Sequence, residues 1–124
     1  MTRRIAVALF AIVIASCGSL RLFEVQDQDT LYFGTARVNA PAVSDAEWRG
    51  FVEHEIVPAF PGFTEIEDTG YWKGQREPGH MVIVVHPRSG EANGRIQHII
   101  DEYKRQFQQE AVFWTKASVD VPMD

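Results

Sequence analysis

Cysteine is almost absent from this chain: Cys17 stands alone among 124 residues. A lone cysteine cannot close an internal disulfide, and with no cysteine or histidine at ligand spacing around it, it cannot build a zinc site. Long apolar runs are missing as well. The run Ile5 to Ile14 falls short of the roughly 20 residues that a bilayer-spanning helix needs. Basic residues are outnumbered, 12 Lys and Arg against 17 Asp and Glu. That balance argues against nucleic acid as a partner and against electrostatic docking on anionic lipid, since both need clustered positive charge. No Gly-rich phosphate loop follows a strand, because Gly90 and Gly94 are too sparse, and no GxSxG elbow occurs. The expectation is therefore no cofactor, no metal and no catalytic constellation of nucleophile, base and orienting group.

What is present at the start of the chain has a definite order. Arg3 and Arg4 form a positive n-region, Ile5 to Ile14 an apolar h-region, and small residues follow, which is the layout of a secretory signal peptide. Ile14, Ala15, Ser16 and Cys17 resemble the bacterial lipobox, an aliphatic residue and two small ones before the cysteine that is lipidated and becomes the new N-terminus. Residues 1–16 are thus expected to be a lipoprotein signal peptide. The resemblance implies a thioether-linked diacylglycerol on Cys17 that holds the protein at a membrane surface, since more than one acyl chain is needed for stable attachment. Gly18, rather than Asp, after the cysteine implies the outer membrane, with the domain facing the periplasm. Cleavage would remove two arginines and no acid, leaving the mature protein still more negative than the formal −5 of the full chain. Membrane contact is then expected from the lipid alone, with residues 17–29 as lipidated cysteine and tether.

From Thr30 the chain, 45% hydrophobic and 23% charged, has the composition of one globular domain, residues 30–124. Aromatic and β-favouring residues in Thr30 to Val38 read as a strand ending at the turn-like "NAPAVS". Ser44 and Glu47 then make a capping box, Asp45 adds acid to the first turn, and Val43 can staple onto Trp48, so a helix begins there. Its apolar positions, Trp48, Phe51, Val52, Ile56 and Ala59, fall on one face, and Pro58 and Pro61 end it. Gly62 to Trp72 alternates weakly, as an edge strand does, before a loop over Lys73 to Gly79. His80 to Pro87 carries five consecutive apolar residues, the pattern of a strand covered on both faces. A second helix lies within Glu91 to Glu110, where Ile96, Ile99, Ile100, Tyr103 and Phe107 recur at helical spacing. "AVFWTKASVDV", Ala111 to Val121, alternates as a half-buried final strand.

The order is β-α-β-β-α-β, the ferredoxin-like α+β arrangement: a four-stranded antiparallel sheet with two helices on one face. The first and third strands, central in that fold, are here the apolar ones. At this point the stretches "LYFG", "VSDAEWRGFVEHEIVPAFPGFT", "GYW", "RE" and "YKRQFQQEAV" resemble a family of small bacterial envelope proteins, domain of unknown function 3574. The resemblance runs from about Thr30 to about Val121 and implies the fold and the location, but no activity. Members of that family tend to carry Gln where Tyr71 stands and a Ser-Lys pair where this chain has Gly79 and His80, so the role of a basic residue there does not carry over.

The candidate chemistry is thin. His80 and His86 lie six residues apart on one strand face, about 20 Å at 3.3 Å per residue, too far to share a metal. "EHEIVP" around His54 lacks the second histidine of a helical zinc motif, and His98 sits on the polar side of its helix. Glu65, Glu67 and Asp68 read as edge-strand solvation. What remains is the sheet face left uncovered by the helices, to which strand alternation assigns His80, Val82, Val84 and His86 of the third strand and Trp114 and Lys116 of the fourth. Arg37 or Tyr32 of the first strand would join them according to its phase. An apolar surface with a few polar groups suits a partner or a ligand. The favoured expectation is a non-catalytic, lipid-anchored envelope module that pairs with itself as a homodimer or binds an envelope protein. The alternative is a small barrel-type enzyme or carrier enclosing a small organic ligand, with His80 or Arg37 as its polar contact.

Overall fold

The structure is a computed structural model that describes residues 20–123; the expected signal peptide, residues 1–16, and Cys17 lie outside the described residues. Strand β1 spans Phe23–Gly34, helix α1 spans Asp45–Phe51 and continues as a π-helical turn over Val52–Ile56, and β2 spans Thr64–Trp72. Strand β3 spans Gln75–His86, helix α2 Gly90–Phe107 and β4 Phe113–Pro122. The four strands form one antiparallel sheet in the order β2-β3-β1-β4. The β-α-β-β-α-β order and the central placement of the first and third strands are as the sequence implied.

Local chemistry explains the boundaries. The Ser44 side chain accepts from the Glu47 backbone N–H at 3.1 Å, and the Glu47 carboxylate accepts from the Ser44 N–H at 3.2 Å, so the capping box satisfies two otherwise orphaned donors of α1. The Ser89 side chain caps α2 by accepting from the Ala92 backbone N–H at 3.1 Å, and α2 ends where Gln108 turns left-handed at φ 50°. Between β2 and β3 the expected loop is a tight hairpin. Lys73 (φ 49°) and Gly74 (φ 78°) occupy the two central positions of a two-residue turn with positive φ at both, which matches the twist of the flanking strands.

The core lies between the sheet and the two helices. Trp48, Phe51 and Ile56 from the first helical segment meet Ile96, Ile99, Ile100, Tyr103 and Phe107 from α2 over Leu31, Phe33, Val82 and Val84 of the central strands. Each such side chain contributes roughly 1.5–3 kcal/mol by leaving water. The Tyr103 hydroxyl, fully buried, donates to the Gly34 carbonyl at 2.6 Å, which keeps a phenol inside without an orphaned donor. Burial pushes its pKa well above that of a free phenol.

Two expectations fail here. β1 begins at Phe23, so the stretch over 23–29 expected as tether is paired strand, held by Glu24↔Val121, Asp27↔Ser118 and their neighbours on β4. Its Asp and Gln residues disfavour a strand in isolation, and partners distant in sequence override that preference. The second failure is one of phase. His80, Val82, Val84 and His86 are buried on the helix-covered side of the sheet, opposite Phe33, Leu31, Asp29 and Asp27 of β1. Trp114 and Lys116, paired with Leu31 and Asp29, share that side.

Candidate functional site

The correction of phase redistributes every residue expected on the open face. Val82 and Val84 are core. Trp114 is half-buried and donates its indole N–H to Asp29 at 2.6 Å. Lys116 reaches the same carboxylate at 2.9 Å. Arg37 stands on the loop after β1, bonded to Glu47 at 2.7 Å and lying over the Phe107 ring at 5.3 Å from its centroid. His80 among them opens on a cavity.

His80 is held from two sides. Its ring stacks on Trp48 at 4.2 Å between centroids and 5° between planes, and its Nδ1 lies 3.2 Å from Glu65 Oε1. That oxygen also accepts the Trp48 indole N–H at 2.8 Å. A carboxylate facing Nδ1 keeps the proton there, so in the neutral ring Nε2 is an acceptor. The side chain is 7% exposed and lines two adjoining cavities of about 390 and 320 Å³ between the β2 edge and α1. Glu65 is exposed on the edge strand, as expected of a solvated residue, and in addition joins Trp48 to His80. Alternation on an edge strand shows which residues share a face, but not that a carboxylate reaches inward to a histidine on the next strand.

A second polar cluster sits at the other end of the same sheet side. Asp29 is fully buried and accepts from Trp114, Lys116 and His86 Nε2. The other nitrogen of His86 lies 2.8 Å from the Pro87 carbonyl, so each ring nitrogen is placed to donate. Arg88 bonds to Asp27 at 3.1 Å and to Ser118, and Lys116 approaches Asp27 at 3.5 Å. Burial pushes the Asp29 pKa up, but the hydrogen bonds from Lys116, Trp114 and His86 outweigh it and hold the carboxyl below its ordinary value. Two acids balanced by lysine and arginine, with His86 bonded to one of them, make a network that anchors the far end of β1 to β3 and β4. No group of three or more metal-ligating side chains occurs among the described residues.

The opposite sheet face is of another character. Tyr32, Thr30 and Gln28 of β1, Met81, Ile83 and Val85 of β3, Phe113, Thr115 and Val119 of β4 and Ile66 of β2 alternate onto it. It carries no charged side chain until its periphery, at Glu24, Asp68 and Glu77. Phe113 is 66% exposed, beside Tyr32 at 5.7 Å between ring centroids, while Val85 and Ile66 are 42% and 40% exposed. The alternation of β4 was legible. The fact that its apolar set, led by Phe113, points outward was not.

Residues 28–122 match the family described as Protein of unknown function (DUF3574). The chain belongs to that family. No curated protein matches it. Among solved structures the DUF3574 domain is similar to a phage SAM lyase in its apo state, at 18% identity and a TM-score of 0.60 over 81% of this chain and 86% of that one. The phage SAM lyase in complex with S-methyl-5'-thioadenosine matches at 15% identity and a TM-score of 0.57, covering 79% and 90% of the two chains. A PII-like signaling protein from Thermus thermophilus matches at 17% identity and a TM-score of 0.50, covering 81% and 91%. At such identities the likeness is one of fold.

Proposed function

We propose that this DUF3574 domain is a lipid-anchored envelope module that pairs with a second copy of itself through its uncharged sheet face. The observation that carries the reading is the contrast between the two sides of one sheet. One side buries its polar groups in bonded networks, while the other presents Phe113, Tyr32, Ile83, Val85 and Ile66 with no charged group among them. An apolar patch of that extent on a monomer marks a contact site. A second copy is the occupant that fits, because a face without charge offers a charged partner nothing to complement, whereas two such faces related by a two-fold axis cover each other.

Area supports the same occupant. Strands about 4.8 Å apart, paired over roughly ten residues at about 3.3 Å each, give a flat face on the order of 500 Å². Projecting side chains add to it, which approaches the roughly 800 Å² per partner of a standard interface. Trp72, 64% exposed at the hairpin tip and alternating onto the same side, extends the reach of the patch. Attachment would come from acyl chains on Cys17, with the acidic domain held off the membrane by its tether, at the outer membrane facing the periplasm.

Sedimentation of the lipidated full chain in density-matched detergent tests the pairing. The wild type is expected at twice the protein mass of the chain, and Ile83→Lys, which places a charge at the centre of the face, is expected at the single mass. A wild type that stays monomeric at high concentration would refute the reading. The small-ligand alternative keeps one observation in its favour, on the other side of the sheet: the buried histidine that opens on a cavity.

A further inference from the structure

We infer that the trough around His80 is a binding site for a small organic cation carrying an N–H ammonium group. The inference is independent of the self-association reading, since it concerns the opposite side of the sheet. It begins with the imidazole. Nδ1 is committed to Glu65, and Trp48 pins both the carboxylate and the ring, so the neutral imidazole offers Nε2 as an acceptor in a fixed direction. Nε2 has no protein partner. It is not sealed in either, because among the described residues the buried polar side-chain atom left without a partner is Arg37 Nε, not this nitrogen. A side chain more than nine-tenths buried, with its free acceptor opening on a cavity, calls for a donor from outside.

The surroundings decide the charge of that donor. Both cavities share Asp45, Glu67 and His80, and Glu65 completes the acids on this side of the sheet. Glu67 lies directly across from His80 in the β2–β3 register, on the same sheet side, where facing Cβ atoms are about 5 Å apart. Asp45 closes the trough from the first turn of α1. Arg49 and Arg76 line the outer walls. Three carboxylates against two guanidiniums leave the trough negative, and the acceptor nitrogen of the neutral ring at its floor cannot receive an anion. An ammonium group satisfies both conditions, donating one N–H to Nε2 and others to the carboxylates of Glu67 and Asp45. A quaternary ammonium would meet the charge but not the nitrogen.

The test uses the full chain in detergent with histidine ring nitrogens labelled, at slightly alkaline pH, and 1,4-diaminobutane as the probe, with tetramethylammonium as the cation that lacks a donor. The expected result is a saturable shift of the His80 Nε2 resonance with the diamine and none with tetramethylammonium. Glu67→Gln, at an exposed position where folding is safe, is expected to weaken the diamine about fivefold, and His80→Gln, which lacks the labelled ring and is read by calorimetry, to abolish binding. A titration that never saturates, an equal response to tetramethylammonium, or an unchanged affinity in Glu67→Gln overturns the inference. The oligomeric mass of the same samples is read separately, so failure of one reading is not mistaken for failure of the other.

Discussion

Replacing Asp29 by asparagine perturbs a single group whose surroundings are fully specified. The carboxylate has no exposed surface and accepts from the Trp114 indole at 2.6 Å, from Lys116 at 2.9 Å and from His86. Asparagine keeps the shape but turns an N–H₂ toward one set of donors and removes the charge that Lys116 balances. Breaking a buried pair costs about 3–5 kcal/mol. Lys116 remains about a third exposed and can swing to water, so the lower end, about 3 kcal/mol, is the expected loss. For a domain of this size that corresponds to a melting temperature lower by roughly 12–24 °C.

The pH dependence of that loss has a definite sign. The Asp29 pKa is lowered from 3.8 in the folded state. Its contribution is therefore complete above 3.8 and is lost as pH falls through the lower folded value. The gap in melting temperature between wild type and Asp29→Asn should be wide at neutral pH and should close only on strong acidification. Thermal melts by circular dichroism from pH 7 downward read both quantities. A variant that melts within about 2 °C of wild type at pH 7, or a gap that does not narrow in acid, would refute the network as described.

Ile100→Ala empties a buried site beneath the sheet and should cost about 2–5 kcal/mol by denaturant unfolding, with a value below 1 kcal/mol contradicting the core. Tyr103→Phe leaves the Gly34 carbonyl without its donor and should cost about 1–2 kcal/mol, and in wild type the Tyr103 phenol should ionise in an alkaline ultraviolet titration only as the domain unfolds. Ser44→Ala removes the cap of α1 and should cost about 1 kcal/mol. Cys17→Ala should move the protein out of the membrane fraction as uncleaved precursor or soluble chain, while membrane retention of the variant would contradict lipid attachment.

The fold was legible because its cues are local. The capping box at Ser44 and Glu47, the helical spacing from Ile96 to Phe107 and the apolar run from Met81 to Val85 each specify an element without reference to another. Phase was not legible, for a physical reason. A strand of continuous apolar residues has no polar side to exclude from the core, so nothing in Met81 to Val85 says whether Val82 or Ile83 faces the helices. That choice is made by Leu31 and Phe33 on β1 and by the polar groups that share their side. Asp27 and Asp29 looked like tether, and Lys116 like a wet residue, because the ion pairs that bury them join positions 87 and 89 residues apart. The same holds for His80: its neighbours in sequence say nothing of Glu65 or Trp48.

The central claim is that the uncharged sheet face meets its counterpart in another copy, and disulfide trapping in cells tests it most directly, because lipidation of Cys17 would leave the chain without a free thiol. Single cysteines are placed in turn at Thr30, Ile83 and Thr115 on the open face and at Arg95 on the exposed side of α2, and dimers are read on non-reducing gels after mild oxidation. The account predicts a covalent dimer from at least one of the three face positions and none from Arg95. Monomer from all three, or dimer from Arg95 alone, would contradict it.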